Sequence, residues 1–182
     1  MRRLVQFGSS LVVALAAVAA IAPPAFAQEP KSAAHAKELV KLLADKKMDA
    51  VAVRAPDSTD TFLAALVFPA QIIVVSAKYA APPLLNEKLA RREYRDVYIE
   101  LNSASVLETR LIVTDLGADG VRVKRAKRDD PFDSRELGGK AFNLDGNWRE
   151  DKMSEADYMK LHAETDERYT QILAALLGEA KK

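Results

Sequence analysis

Apolar residues gather most densely between Thr61 and Tyr79. Phe62–Phe68 and Ile72–Ala77 form two runs there, parted only by Pro69-Ala70-Gln71. Short apolar runs bounded by a turn signal predict buried strands, and so short a gap predicts a hairpin. Pro69 has no N–H to give to a ladder, so it marks the turn. Two strands buried on both faces need cover, and amphipathic segments flank them. Upstream, Ala36, Leu39, Val40 and Leu43 recur at helical spacing, which predicts a helix capped by Ser32 and running to about Lys47. Lys46 and Lys47 then fall in its last turn, where cations suit the helix end. Met48–Val53 alternates as a strand, and Pro56-Asp57-Ser58-Thr59-Asp60 has the residue chemistry of a turn.

Beyond the hairpin, Pro82-Pro83 opens a helix expected over Leu84–Glu93. Between Tyr94 and Asn102, Val97, Ile99 and Leu101 alternate with Tyr98 and Glu100, which favours a strand over a continuing helix. Thr109–Leu116 is rich in β-branched residues and reads as another strand. Gly117-Ala118-Asp119-Gly120 turns the chain, and Val121 with Val123 suits a short returning strand. Arg128–Lys140 is polar, contains Pro131, Gly138 and Gly139, and reads as an exposed loop. Asp145-Gly146, between Ala141–Leu144 and Trp148, is a hairpin-turn signal. Ser154 with Asp157 resembles a capping box. It opens a last helix whose apolar face is Tyr158, Leu161, Tyr169, Ile172, Leu173 and Leu176, with Gly178 as its stop. The predicted class is α+β: a mostly antiparallel sheet with N-terminal and C-terminal amphipathic helices packed on it.

The first residues change the picture of where this domain works. Arg2 and Arg3, the apolar Leu11–Ile21 and Ala25-Phe26-Ala27 make the pattern of a cleaved secretory signal over residues 1–27. Its apolar run is too short for an ordinary span of about 20 residues, and Pro23-Pro24 ends it. Residues 28–182 suit one domain, expected to be periplasmic or secreted and to keep no membrane span after cleavage. The chain has 27 basic and 26 acidic residues, and losing Arg2 and Arg3 leaves it close to neutral. That balance gives no general attraction to nucleic acid. With no cysteine in the chain, disulfides, thiol catalysis and cysteine metal sites are excluded.

Candidate chemistry is sparse. His35 and His162 each lack a partner at i+4 and are expected at the surface or rim. Asp129, Asp130 and Asp133 read as a solvated acidic loop, and Asn143–Asn147 as a turn in place of calcium ligands. Ser76, Ser103 and Ser105 have no base tied to them, there is no G-x-S-x-G elbow, and Gly138-Gly139-Lys140 lacks P-loop spacing. Two basic clusters stand out: Arg122, Lys124, Arg125, Lys127 and Arg128, and Arg91, Arg92 and Arg95 beside Tyr94 and Tyr98. Arginine forks suit phosphate or carboxylate, though a solvated strand or helix end is the plainer reading of each cluster.

Over Met48–Leu101 the chain resembles the FMN-binding split-barrel, pyridoxamine phosphate oxidase-like family in order and texture. The matching features are Ile72-Ile73-Val74-Val75-Ser76-Ala77-Lys78, then Leu84–Arg92, then Val97–Leu101. The resemblance implies a split-barrel-like sheet, a homodimer, and flavin phosphate held near Ser76 and Lys78, with Arg91, Arg92 and Arg95 as further candidates. The expected function is a non-enzymatic domain that binds a small molecule or a protein partner. The alternative that the resemblance carries is a redox protein with FMN or haem.

Overall fold

The computed structural model describes residues 29–80, 93–123, 133–144, 146, 149 and 151–182. In chain order its elements are α1 (Ala33–Asp45), β1 (Ala50–Arg54), β2 (Thr61–Phe68), β3 (Gln71–Tyr79), α2 (Tyr94–Leu101), β4 (Val106–Leu116), β5 (Ser134–Leu137), β6 (Lys140–Asn143) and α3 (Glu155–Ala180). The six strands form one antiparallel sheet in sequence order, β1 through β6. The fold is therefore α+β, and among the described residues the sheet is open and does not close into a barrel. Among the described residues no helix is long and apolar enough to cross a membrane.

The continuous apolar runs of β2 and β3 follow from burial on both sheet faces. Val51, Ala65, Val74 and Val113 form one row across four strands, and this face packs under α1 and α3. The neighbouring row, Ala52, Ala64, Val75 and Ile112, points to the other face, where Val97 of α2 joins the cluster. Leu63, Leu66, Val74 and Val75, expected in the core, are all buried. At the far end of α1, Lys46 Nζ donates to the carbonyl of Ala180 and occupies one of the acceptors that α3 leaves at its end.

Several expectations are corrected. Tyr94–Leu101 is a helix, not a strand. Val97 and Leu101 satisfy both periods, but Ile99 and Tyr98 are 56% and 51% exposed, so no alternating face is buried. The stripe Tyr94, Val97, Leu101 packs on the sheet instead. Within Arg128–Lys140, residues 133–140 are not a loop: β5 and β6 occupy Ser134–Leu137 and Lys140–Asn143. Their two-residue turn is Gly138-Gly139, with φ of 57° and 74°. Positive φ at both positions is the reason for two glycines there. The hairpin expected around Asp145-Gly146 turns on Asp145, Asn147 and Trp148, which lie outside the described residues. Val121–Val123 forms no strand, because Val121 N–H donates to Ser32 Oγ and Arg122 N–H to Asp133. Ser32 makes no side-chain cap on α1. The last helix runs past Gly178 to Ala180. The helix expected over Leu84–Glu93 lies, up to Arg92, outside the described residues.

Candidate functional site

Beneath the loop after β4 lie three buried carboxylates. Asp115 accepts from Asp119 N at 3.2 Å, Gly120 N at 2.9 Å and the Tyr169 hydroxyl at 3.1 Å. Asp133 accepts from Leu116 N at 2.9 Å and Arg122 N at 2.7 Å. Asp166, on α3, accepts from Lys31 N at 2.8 Å, Ser32 N at 3.1 Å and Ser32 Oγ at 2.6 Å, just before α1 begins. Asp133 is fully buried, so it is not part of a solvated acidic loop. Gly120, at φ +91°, passes so close to α1 that a Cβ there would meet Ala33 N at 2.7 Å.

Burial pushes Asp115 above the usual carboxylate range, against the hydrogen bonds from Gly120, Asp119 and Tyr169. Burial, reinforced by the charge of Asp115, raises the Tyr169 phenol well above its ordinary value. Each of these carboxylates is already occupied by backbone donors, so the cluster fastens the loop to α1 and α3 and offers little to a ligand. His162 sits beside it, half-buried, in line with the rim position expected. Burial lowers its pKa, while Asp166 and the backbone of Arg122 and Val121 oppose that shift. Among the described residues no three of His, Cys, Asp and Glu come together to hold a metal ion.

A different arrangement occupies the same sheet face nearer β5. Leu63, Ser76, Leu111 and Leu137 are register partners and form one row across β2, β3, β4 and β5. Ser76 is the small, polar member of that row. Above it α3 presents Glu164, Thr165 and Arg168, and a cleft of about 180 Å³ opens between helix and sheet. Arg135 stands on the next row beside Val113 and lines the same cleft.

The surroundings of Arg135 are unusual for a cation. Its Nη1 donates to Thr165 Oγ1 at 3.1 Å and to the Leu161 carbonyl at 3.5 Å. Thr165 Oγ1 itself donates to Leu161 O at 2.7 Å. The Arg135 Nε is buried and has no partner among the described residues. No carboxylate among the described residues comes within ion-pair distance of this guanidinium. Burial lowers its pKa, and only the field of Glu164 opposes that. A half-buried charge is stable only where its donors find acceptors, and a guanidinium fork fits a carboxylate best. Arg168 lies farther along α3. It donates to Gln171 Oε1 at 3.2 Å and stands 3.9 Å from Asp57, against a second cleft of about 170 Å³ lined by Pro56, Asp57, Leu63 and Ile172.

The residues singled out from the sequence are divided by the fold. Ser76 lines the cleft. Lys78 shares its sheet face two residues on and pairs with Asp60 at 3.1 Å. Hydrogen bonds from Ser58 first, then Lys78, hold Asp60 down to about 2. Arg95 is exposed on α2, across the sheet from Ser76 and Lys78. Arg91 and Arg92 lie outside the described residues, as do Asp129 and Asp130, and the basic residues Lys124 to Arg128. Arg122 pairs with Asp119 at 2.7 Å. The cleft that Ser76 lines is below the roughly 300 Å³ at which pockets begin to hold drug-sized ligands.

Arg135, Glu164, Thr165 and Arg168 escaped the sequence reading. Arg135 is hidden because its strand has the polar, glycine-bearing sequence of a loop. Thr165 and Arg168 carry a weak signal, since they interrupt the apolar stripe of α3 between Leu161 and Ile172. Compared with family models, curated proteins and solved structures, the chain matches none.

Proposed function

We propose that this chain is an exported, non-enzymatic binding domain whose ligand is a small carboxylate-bearing molecule held between the sheet and α3. The observation that carries the reading is Arg135, a guanidinium lining the cleft with a buried, unpartnered Nε and no carboxylate among the described residues within ion-pair distance. Ser76 and Thr165 add hydroxyls at the same place, and Leu111 and Leu137 add apolar floor. Such a mix, mostly apolar with a few convergent polar groups, is what small-molecule sites are built from. Export rests on the N-terminal signal pattern.

Calorimetric titration with short-chain carboxylates tests the binding. Arg135→Ala is expected to abolish the heat of binding. Arg135→Lys should keep only part of the affinity, because an ammonium cannot reproduce the two-pronged contact. Unchanged affinity in Arg135→Ala refutes the reading. Export is checked separately by fractionating cells and sequencing the amino terminus, which is expected at Gln28.

A further inference from the structure

We infer that the ligand of the Arg135 cleft is a zwitterion with an apolar body, a free α-amino acid being its simplest form. The inference rests on the reading that this cleft binds a carboxylate, and it adds which second group the ligand carries.

Glu164 lines the cleft together with Arg135. Glu164 and Arg168 are four apart on α3, the spacing and order at which an acidic and a basic side chain ordinarily pair. They do not pair here. Arg168 donates to Gln171 and stands toward Asp57. Among the described residues the cation within ion-pair distance of Glu164 is Lys160, 3.9 Å away and with its side chain 76% exposed. So solvated a partner at that distance neutralises little. Arg168, which also lines the cleft, stands equally far from a mostly exposed Asp57, so the cleft keeps positive charge, from Arg135 and Arg168, and negative charge at its rim, from Glu164. A bare carboxylate answers only the first. A molecule carrying an ammonium beside its carboxylate answers both.

Size and floor agree with this. The cleft of about 180 Å³ is close to the roughly 150 Å³ that admits benzene in an engineered cavity, so it suits a ligand of about six to ten non-hydrogen atoms. Leu111 and Leu137, partners across β4 and β5, give a side chain an apolar surface. The Ser76 hydroxyl lies between Leu63 and Leu111 on the same row.

The experiment compares three probes that share one apolar tail: leucine, 4-methylpentanoate, which lacks the ammonium, and 3-methylbutylamine, which lacks the carboxylate. Each is titrated into the protein and followed by calorimetry and by backbone amide shifts at Leu111, Arg135 and Leu137. Leucine is expected to bind at least about tenfold tighter than 4-methylpentanoate, the gain of one charged hydrogen bond. The amine should bind weakest. Glu164→Gln, on the exposed side of a long helix and so harmless to folding, should bring leucine down to the level of 4-methylpentanoate. Equal affinity for leucine and 4-methylpentanoate, both lost in Arg135→Ala, overturns the zwitterion and leaves the carboxylate site standing. If neither molecule shifts those amides, the carboxylate site falls as well.

Discussion

Truncating Asp166 to alanine puts the most weight on the buried network. Its carboxylate accepts from Lys31 N, Ser32 N and Ser32 Oγ immediately before α1. Lys31 is exposed, so water replaces that acceptor at little cost. Ser32 is fully buried, and its orphaned N–H costs about 1–3 kcal/mol. Loss of a negative charge at the start of a helix adds about 0.3–1 kcal/mol. Asp166→Ala should therefore destabilise the fold by about 2–4 kcal/mol, a large share of the roughly 5–15 kcal/mol that holds a domain together. Urea denaturation measures it as a shift of midpoint at constant slope. Asp166→Asn, which keeps an acceptor and loses the charge, should cost about half as much. Combined with Ser32→Ala, Asp166→Ala should cost less than the sum of the two by about 1 kcal/mol or more, because both remove the same bond. A loss below about 0.5 kcal/mol, or strict additivity, would show that Asp166 does not fasten α1 to α3.

Further outcomes follow from the same geometry. Burial depresses the pKa of His162, so the neutral ring is favoured in the folded state; the stability this contributes is present above about pH 6.5 and is lost as pH falls from there toward the folded value. Melting temperatures between pH 7.5 and 5 should drop by less in His162→Gln than in the parent, and parallel curves would contradict the burial argument. Gly120→Ala should cost at least about 2 kcal/mol, since φ is +91° and the added Cβ meets the Ala33 backbone. A loss under about 0.5 kcal/mol in urea would mean that the loop can lift off α1.

The central hairpin and both flanking helices were legible in the sequence because their apolar patterns are long and unambiguous. Phe62–Phe68 and, apart from Ser76, Ile72–Ala77 are apolar because the sheet is covered on both faces. The reading of Tyr94–Leu101 failed because Val97 and Leu101 fit both a strand and a helix, and only the exposure of Ile99 separates them. β5 and β6 were missed because each has four residues and buries little. They are set by the Gly138-Gly139 turn and by the pairing of β5 with β4, not by their own hydrophobicity. The candidate site was legible only at Ser76. Arg135 acquires its meaning from register: it sits beside Val113 and under Thr165, residues 22 and 30 positions away in the chain. The buried carboxylates were equally hidden, since nothing in the local sequence of Asp115, Asp133 or Asp166 marks them as inward.

The most direct measurement is a crystal structure of the protein grown with 4-bromobutanoate, with bromine located by its anomalous signal. The account predicts bromine against Leu111 and Leu137 and the carboxylate on the Arg135 guanidinium, with Ser76 or Thr165 in hydrogen-bond reach. An Arg135 guanidinium paired with a carboxylate of the chain itself, and no bromine in the cleft, would contradict it.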